Sequence, residues 1–261
     1  MVAFPLDAPG FDVPPPLPRK RLDARRALRT LSELIAQPTR TEKVFELFDA
    51  VGGDDGESSF QRFLSDPEGR RLFGARSSLR ARLGDRAGLA KLRAGSLGRA
   101  YLAHLDRYGL DPTGVLDAQE RARKPGDPDT DPGRAWFFER VNLMHDLWHA
   151  LTGYGADEAG EAALLAFTQA QLPTRGIGLL IAAAAWLGPW GDAFAWQRYL
   201  VRAWRRGRRA RLLVAADWEA LLARPISEVR AALGIEAPEV AHPGGVIEAH
   251  LFGGRYTMAR S

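Results

Sequence analysis

Two histidines, an aspartate and a glutamate fall within seventeen residues, as His145-Asp146-x-x-His149 and then Glu161. Those residue types at that spacing can hold a metal ion. A helix sets residues i and i+4 about 40° apart, so His145 and His149 can direct ring nitrogens at one ion about 2.0–2.2 Å away. Asp146 projects about 60° from His149, close enough to reach the same ion or to orient a ligand. Glu161 would lie about 120° from His149 on a continuous helix, but Gly153, Gly155 and Gly160 let the chain reverse and bring it back. Two imidazoles and up to two carboxylates suit zinc, iron(II), manganese or cobalt and leave positions open for water or substrate. With no cysteine in the chain, thiolate ligands, thiol nucleophiles and disulfides are all excluded. A single histidine on an apolar face is usually a core residue with one hydrogen bond, and HDxxH alone matches many helices. Two inward histidines beside an acid pair are costly, however, unless a cation compensates them. One divalent metal ion is therefore expected.

The elements that must carry these residues are helices. Alanine, leucine and arginine dominate while valine, isoleucine and threonine are sparse, which favours straight-chain helix formers. In RAWFFERVNLMHDLWHALTG from residue 134, Phe137, Val141, His145 and His149 recur four apart on one apolar face. The glycines follow, and then a second helix over 157–172 with Glu161 in its first turn. Upstream, helices are expected at 20–36, 40–51, 57–65, 76–92 and 97–109, the second opened by Thr39 with Glu42 at capping spacing. KPGDPDTDPG at 124–133 is a loop. Downstream, Gly176 to Gly191 is uncharged but shorter than the ~20 residues that cross a bilayer, so it reads as a buried helix. A helix over 191–212 and two short ones around Pro225 complete the pattern. The expected fold is all-α, a single-domain multi-helix bundle with a glycine-interrupted helix pair carrying the metal site. Residues 1–18, with six prolines, form an arm dispensable for folding, 19–236 the helical metal-binding domain, and 237–261 a glycine-rich tail.

The chain of 261 residues is 46% hydrophobic, enough for a substantial core, and has a net charge of +4. No basic start with an apolar stretch opens it, and Asp7 and Asp12 stand where import peptides avoid acids. Arg202, Arg205, Arg206, Arg208, Arg209 and Arg211 crowd one stretch, which a solvated helix face explains and which could also meet phosphates.

The pattern His145-Asp146-x-x-His149-x-x-x-Gly153, six residues, then Gly160-Glu161 resembles the full HDxxHxxxGxxxxxxGE signature of the coenzyme Q biosynthesis protein 4 family. Six positions agree across seventeen residues. The likeness extends to GSLGRAYLAHL at 95–105, Arg140, Phe167, Gln171 and the closing DWEALL…PISEVRAALGI, from about residue 25 to 236. Leu165, Thr168 and Asn142 depart from eukaryotic members, which carry lysine, an acid and arginine there. With the arginine bias, these departures imply a bacterial member. The resemblance implies an all-helical, membrane-peripheral, cytoplasmic protein of ubiquinone biosynthesis with a bound metal, zinc by family habit. It implies removal of the ring carboxyl of a polyprenylated 4-hydroxybenzoate derivative and its replacement by hydroxyl. The partners it implies are the polyprenylated aromatic substrate, a membrane surface, other ubiquinone biosynthesis proteins and a second copy of the chain, with no nucleic acid. The apolar span 162–191 would face the prenyl tail, and Arg140 or Arg175 would clamp a carboxylate if not held in salt bridges.

Two rival readings stand beside this one. A helical metal phosphohydrolase of the H…HD…D type would use His104 with Asp192 or Asp217 and leave His149 and Glu161 without roles. A lipid-binding scaffold that organises ubiquinone biosynthetic enzymes would need no catalysis.

Overall fold

A computed structural model describes residues 16, 17, 19, 21–37, 40–122, 131–187, 194–236, 247–249 and 256–258. Among them the chain forms fourteen α-helices. The first group is α1 (Ala24–Ala36), α2 (Thr41–Val51), α3 (Asp55–Ser65), α4 (Pro67–Ala75), α5 (Leu79–Gly84), α6 (Arg86–Lys91), α7 (Leu97–Tyr108) and α8 (Gly114–Ala122). The second is α9 (Pro132–Thr152), α10 (Glu158–Gln171), α11 (Arg175–Leu187), α12 (Ala195–Arg209), α13 (Trp218–Leu221) and α14 (Ile226–Leu233). A two-stranded antiparallel ribbon, β1 (Ile247–Ala249) with β2 (Tyr256–Met258), pairs Glu248 with Thr257. The all-α expectation holds apart from that ribbon in the tail.

Helix α9 is the axis of the molecule. Asp131 caps it by accepting from the Gly133 and Arg134 amides, Pro132 fits the first turn where no amide bond is needed, and Gly153 ends it at φ 79°. Helices α5, α7, α8 and α10 pack against it. Phe137, Leu143, Met144, Leu147 and Leu151 are buried, each contributing about 1.5–3 kcal/mol. Burial alone therefore holds α9 firmly, and its histidines ride on a rigid element. A second, smaller core joins α1, α2 and α11 through Ala27, Leu34, Leu47, Ala50 and Val51 with Leu179 and Leu180.

Two arginines inside the bundle tie α9 to distant segments. Arg134 holds Glu57 through two bonds of 2.7 and 2.9 Å. Arg140 holds Glu219 in the same way, at 2.6 and 2.7 Å, and also donates to the Ala216 carbonyl. Arg140 is 2% exposed. Arg140→Met strands the Glu219 carboxylate in a poorly hydrated place, so urea unfolding is expected to show a loss of about 3–5 kcal/mol, with partial recovery on adding Glu219→Leu. No recovery in the double variant would mean that the ion pair is not the cause.

Several local expectations need correction. The helix expected over 76–92 is broken at Asp85, whose carboxylate accepts from the Gly88 amide and so starts α6 anew. Helix α4 went unforeseen although Asp66 caps it and Pro67 opens it, and α8 was also missed. Helix α2 begins after Arg40 without a side-chain cap; Thr39, Asp7 and Asp12, most of the 1–18 arm and of the 124–133 loop, and most of the 237–261 tail lie outside the described residues. The segment expected to be a buried helix is only partly buried: on α11, Gly176, Ile177 and Ala184 are covered while Trp186 is 72% exposed. No described helix is long and apolar enough to cross a membrane.

Candidate metal centre

The site forms where α9 turns into α10. Gly153 in the left-handed region stops α9, and its amide still donates to the His149 carbonyl at 2.9 Å. Asp157 then caps α10 through the Ala159 and Gly160 amides, which puts Glu161 in the first turn, where the helix dipole favours its charge. Gly160 is required by closeness rather than by dihedral angle: a Cβ there would meet the Gly155 carbonyl oxygen at 1.9 Å. Arg206 from α12 donates to the Thr152 carbonyl at 2.7 Å and Arg230 to the Leu151 carbonyl at 2.7 Å, satisfying the last turn of α9.

This turn brings all four predicted residues together. Glu161 lies between the imidazoles, with its oxygens 3.4 Å from His145 Nε2 and 3.2 Å from His149 Nε2. The two rings are 4.8 Å apart at their centres. His145 Nδ1 meets Asp146 Oδ1 at 3.0 Å, and His149 Nδ1 meets the Tyr154 carbonyl at 3.1 Å. A carbonyl can only accept, so His149 carries a proton on Nδ1, and in its neutral form it presents a lone pair at Nε2. That Nε2 is buried, has no hydrogen bond and faces a carboxylate. A lone pair facing a carboxylate is repelled unless a proton or a metal cation lies between them, and the pair suits either. Ligand atoms about 2.1 Å from one ion in tetrahedral or octahedral array are themselves about 3.0–3.4 Å apart, the spacing found here. One ligand atom from each of His145, Asp146 and His149 also lies within 4.8 Å of the others. Two neutral imidazoles and two carboxylates balance a divalent charge, so the residues fit the ion.

Burial opposes the charged form of His145, but the charge of Glu161 and bonds to Asp146 and Glu161 outweigh it and raise its pKa to about 10. Burial likewise opposes ionisation of Glu161 and Asp146, yet the neighbouring histidines hold both below the usual carboxylate range. The sign for folding follows in two parts. The depressed carboxylates stabilise the metal-free fold above pH about 4 and lose that effect as pH falls; raised His145 stabilises it below pH about 6.5 and loses its effect as pH climbs toward 10. Since a metal takes only unprotonated imidazole, uptake must displace the His145 proton.

Neither arginine proposed for substrate joins these four. Arg140 is engaged by Glu219, and Arg175 by Asp54 at 3.3 Å and the Gly52 carbonyl at 3.4 Å beside a cleft with Arg19, Leu22 and Leu179. The salt-bridge use is the one seen for each.

His104 deserves a different account from the one its position in the sequence suggests. It lies on α7, 9% exposed, its ring stacked on His149 with centres 5.1 Å apart and planes 14° apart. Burial and the nearby His149 lower its pKa to about 4, and its Nε2 has no partner. Its place against the site could not be read from spacing, since 41 residues separate it from His145. Of the other phosphohydrolase candidates, Asp217 pairs with Arg71 and caps α13, and Asp192 is outside the described residues. His104→Phe, which keeps the stacked ring and removes the nitrogens, is expected to retain wild-type metal content by elemental analysis; loss of metal would make His104 a ligand.

The family model described as coenzyme Q (ubiquinone) biosynthesis protein Coq4 matches residues 24–239. The chain belongs to the Coq4 family. It is 31% identical over 220 residues to the mitochondrial ubiquinone biosynthesis protein COQ4 of Yarrowia lipolytica, covering 83% of this chain and 75% of that one. It is 34% identical over 175 residues to the COQ4 protein of Arthroderma otae, covering 67% of this chain and 62% of that one. A crystal structure from Nostoc punctiforme PCC 73102 superposes with a TM-score of 0.59 at 22% identity, over 83% of this chain and all of that one, and shares the fold. Membership makes this a ubiquinone biosynthesis protein.

Proposed function

We propose that His145, His149 and Glu161 hold one divalent metal ion, with Asp146 beside them orienting His145 and adding its charge, and that the protein is an enzyme replacing the ring carboxyl of a polyprenylated 4-hydroxybenzoate derivative by hydroxyl. The observation that carries the reading is the buried, unbonded Nε2 of His149 aimed at the Glu161 carboxylate. Zinc is the expected ion by family resemblance, and iron(II), manganese and cobalt suit the same donors. When bound, such an ion supplies Lewis-acid stabilisation of charge at a carboxylate and phenol. The chain's own residues do the rest. The Tyr154 carbonyl fixes the tautomer of His149, and Asp146 turns His145 so that Nε2 points inward. His149 is fully buried whereas His145 and Glu161 are more than a third exposed, so substrate reaches the site from the His145–Glu161 side. With water as the oxygen source, exchange of carboxyl for hydroxyl releases carbon dioxide, two protons and two electrons, the electrons passing to an external acceptor. The protein works peripherally at a membrane surface, where a polyprenylated ring resides, alongside other ubiquinone biosynthesis proteins and as a homodimer.

Purified protein should contain close to one divalent metal per chain and, supplied with a two-electron acceptor such as a soluble quinone, convert a prenylated 4-hydroxybenzoate with release of carbon dioxide. Chelation should stop turnover and metal return should restore it. Metal-replete protein that binds the prenylated compound without turning it over would instead favour the lipid-binding scaffold.

A further inference from the structure

Helix α12 has two faces of opposite character. Trp196, Tyr199, Leu200, Ala203 and Gly207 are buried on the side that packs against α10. On the other side Arg198, Arg202, Arg205 and Arg208 are exposed, together with Val201 and Trp204. No acidic residue lies between Asp192 and Asp217. Trp196 Nε1 donates to the Ala184 carbonyl and Gln197 Nε2 to the Ala185 carbonyl, which joins the first turn of α12 to the last turn of α11. Trp186, Leu187 and Phe194 therefore gather at that same end, and Trp186 and Phe194 are 72% and 58% exposed.

We propose that this face, the outward side of α12 with the tip of α11, lies flat on an anionic lipid bilayer and is the surface by which the protein docks. The proposal rests on the reading that the protein works at a membrane and names the part that touches it. Fifteen residues of helix give a rod about 22 Å long whose bulky apolar side chains can enter the headgroup boundary while the arginines reach phosphates. Arg208 already covers the Trp204 ring at 5.1 Å, a pairing that keeps the cation at the level of an interfacial aromatic. A nucleic acid would use the arginines but has no use for exposed Trp186, Leu187 and Val201 together. A second copy brought face to face would set like charges against each other.

The test is flotation of the full chain with vesicles of phosphatidylcholine alone and of phosphatidylcholine with phosphatidylglycerol. Wild-type protein should bind the anionic vesicles at least tenfold better. Arg202→Glu/Arg205→Glu/Arg208→Glu and, separately, Trp186→Ala/Phe194→Ala/Trp204→Ala should each lower that binding at least tenfold at wild-type helicity and metal content. Arg82→Glu/Lys91→Glu/Arg93→Glu, which makes the same change in net charge elsewhere on the surface, should leave binding unchanged. In wild-type protein, tryptophan emission should be quenched by brominated acyl chains in the anionic vesicles, a measurement needing no variant. Wild-type protein that binds neither vesicle would overturn the membrane reading itself. Equal loss in the control variant, absence of quenching, or binding of an RNA oligonucleotide in place of vesicles would overturn the assignment of this face.

Discussion

Glu161→Gln protein is expected to fold with native helicity yet to lose metal affinity and turnover by roughly 100-fold or more. Removing a group that only orients a ligand costs about 10–100-fold, and the proposed site makes Glu161 a direct ligand. Its oxygens lie 3.4 and 3.2 Å from the two Nε2 atoms, so the carboxylate is shared by both imidazoles. A neutral amide of the same shape keeps the contacts and loses the charge. His149→Ala should do the same, and the double variant should not add a second full loss, because residues acting on one ion are non-additive. Elemental analysis and single-turnover assays of the three variants decide the matter. Wild-type metal content in Glu161→Gln would remove Glu161 from the site and with it the proposed chemistry.

Gly160→Ala is the second large effect, and it acts through the backbone. The added methyl would lie 1.9 Å from the Gly155 carbonyl oxygen and 2.6 Å from the carbon and nitrogen of the same residue. No side chain can yield there. Restoring ordinary contact at 3.4 Å requires α10 to retreat by about 1.5 Å, whereas a metal constellation tolerates displacements of only about 0.5 Å. The variant should lose metal as completely as Glu161→Gln does and also lose about 1–3 kcal/mol or more of stability. Thermal melting with metal analysis reads both. Full metal content at a lowered melting temperature would show that Glu161 is not carried by this close approach.

The approach of the site's side chains to one another was legible because its parts are local. His145, His149 and Glu161 share a short stretch, and helical period plus glycine spacing fixes which of them can meet. The turn that joins α9 and α10 was read from Gly153, Gly155 and Gly160, though spacing alone could not say that Gly160 is needed for contact with Gly155. What escaped were relations that depend on distant segments. The stack of His104 on His149, the arginine clasps of Arg134 and Arg140, and the exposure of Trp186 follow from how α7, α3, α13 and α11 are placed, and no periodicity within one helix encodes that. The break at Asp85 was missed for another reason. A capping carboxylate competes with helix continuation, and the surrounding leucines favour a helix on either side of it.

The buried arginines also bear on the order in which the chain assembles. Glu161 is only sixteen residues from His145, whereas Arg134 reaches Glu57 across 77 residues and Arg140 reaches Glu219 across 79. Short loops close at lower entropic cost than long ones, and local contacts form fastest. Closing the α9–α10 pair, with His145 and His149 against Glu161, therefore costs less entropy than closing the two arginine clasps around it. A metal held there as proposed would meet its side chains already paired before the outer helices are clasped in place.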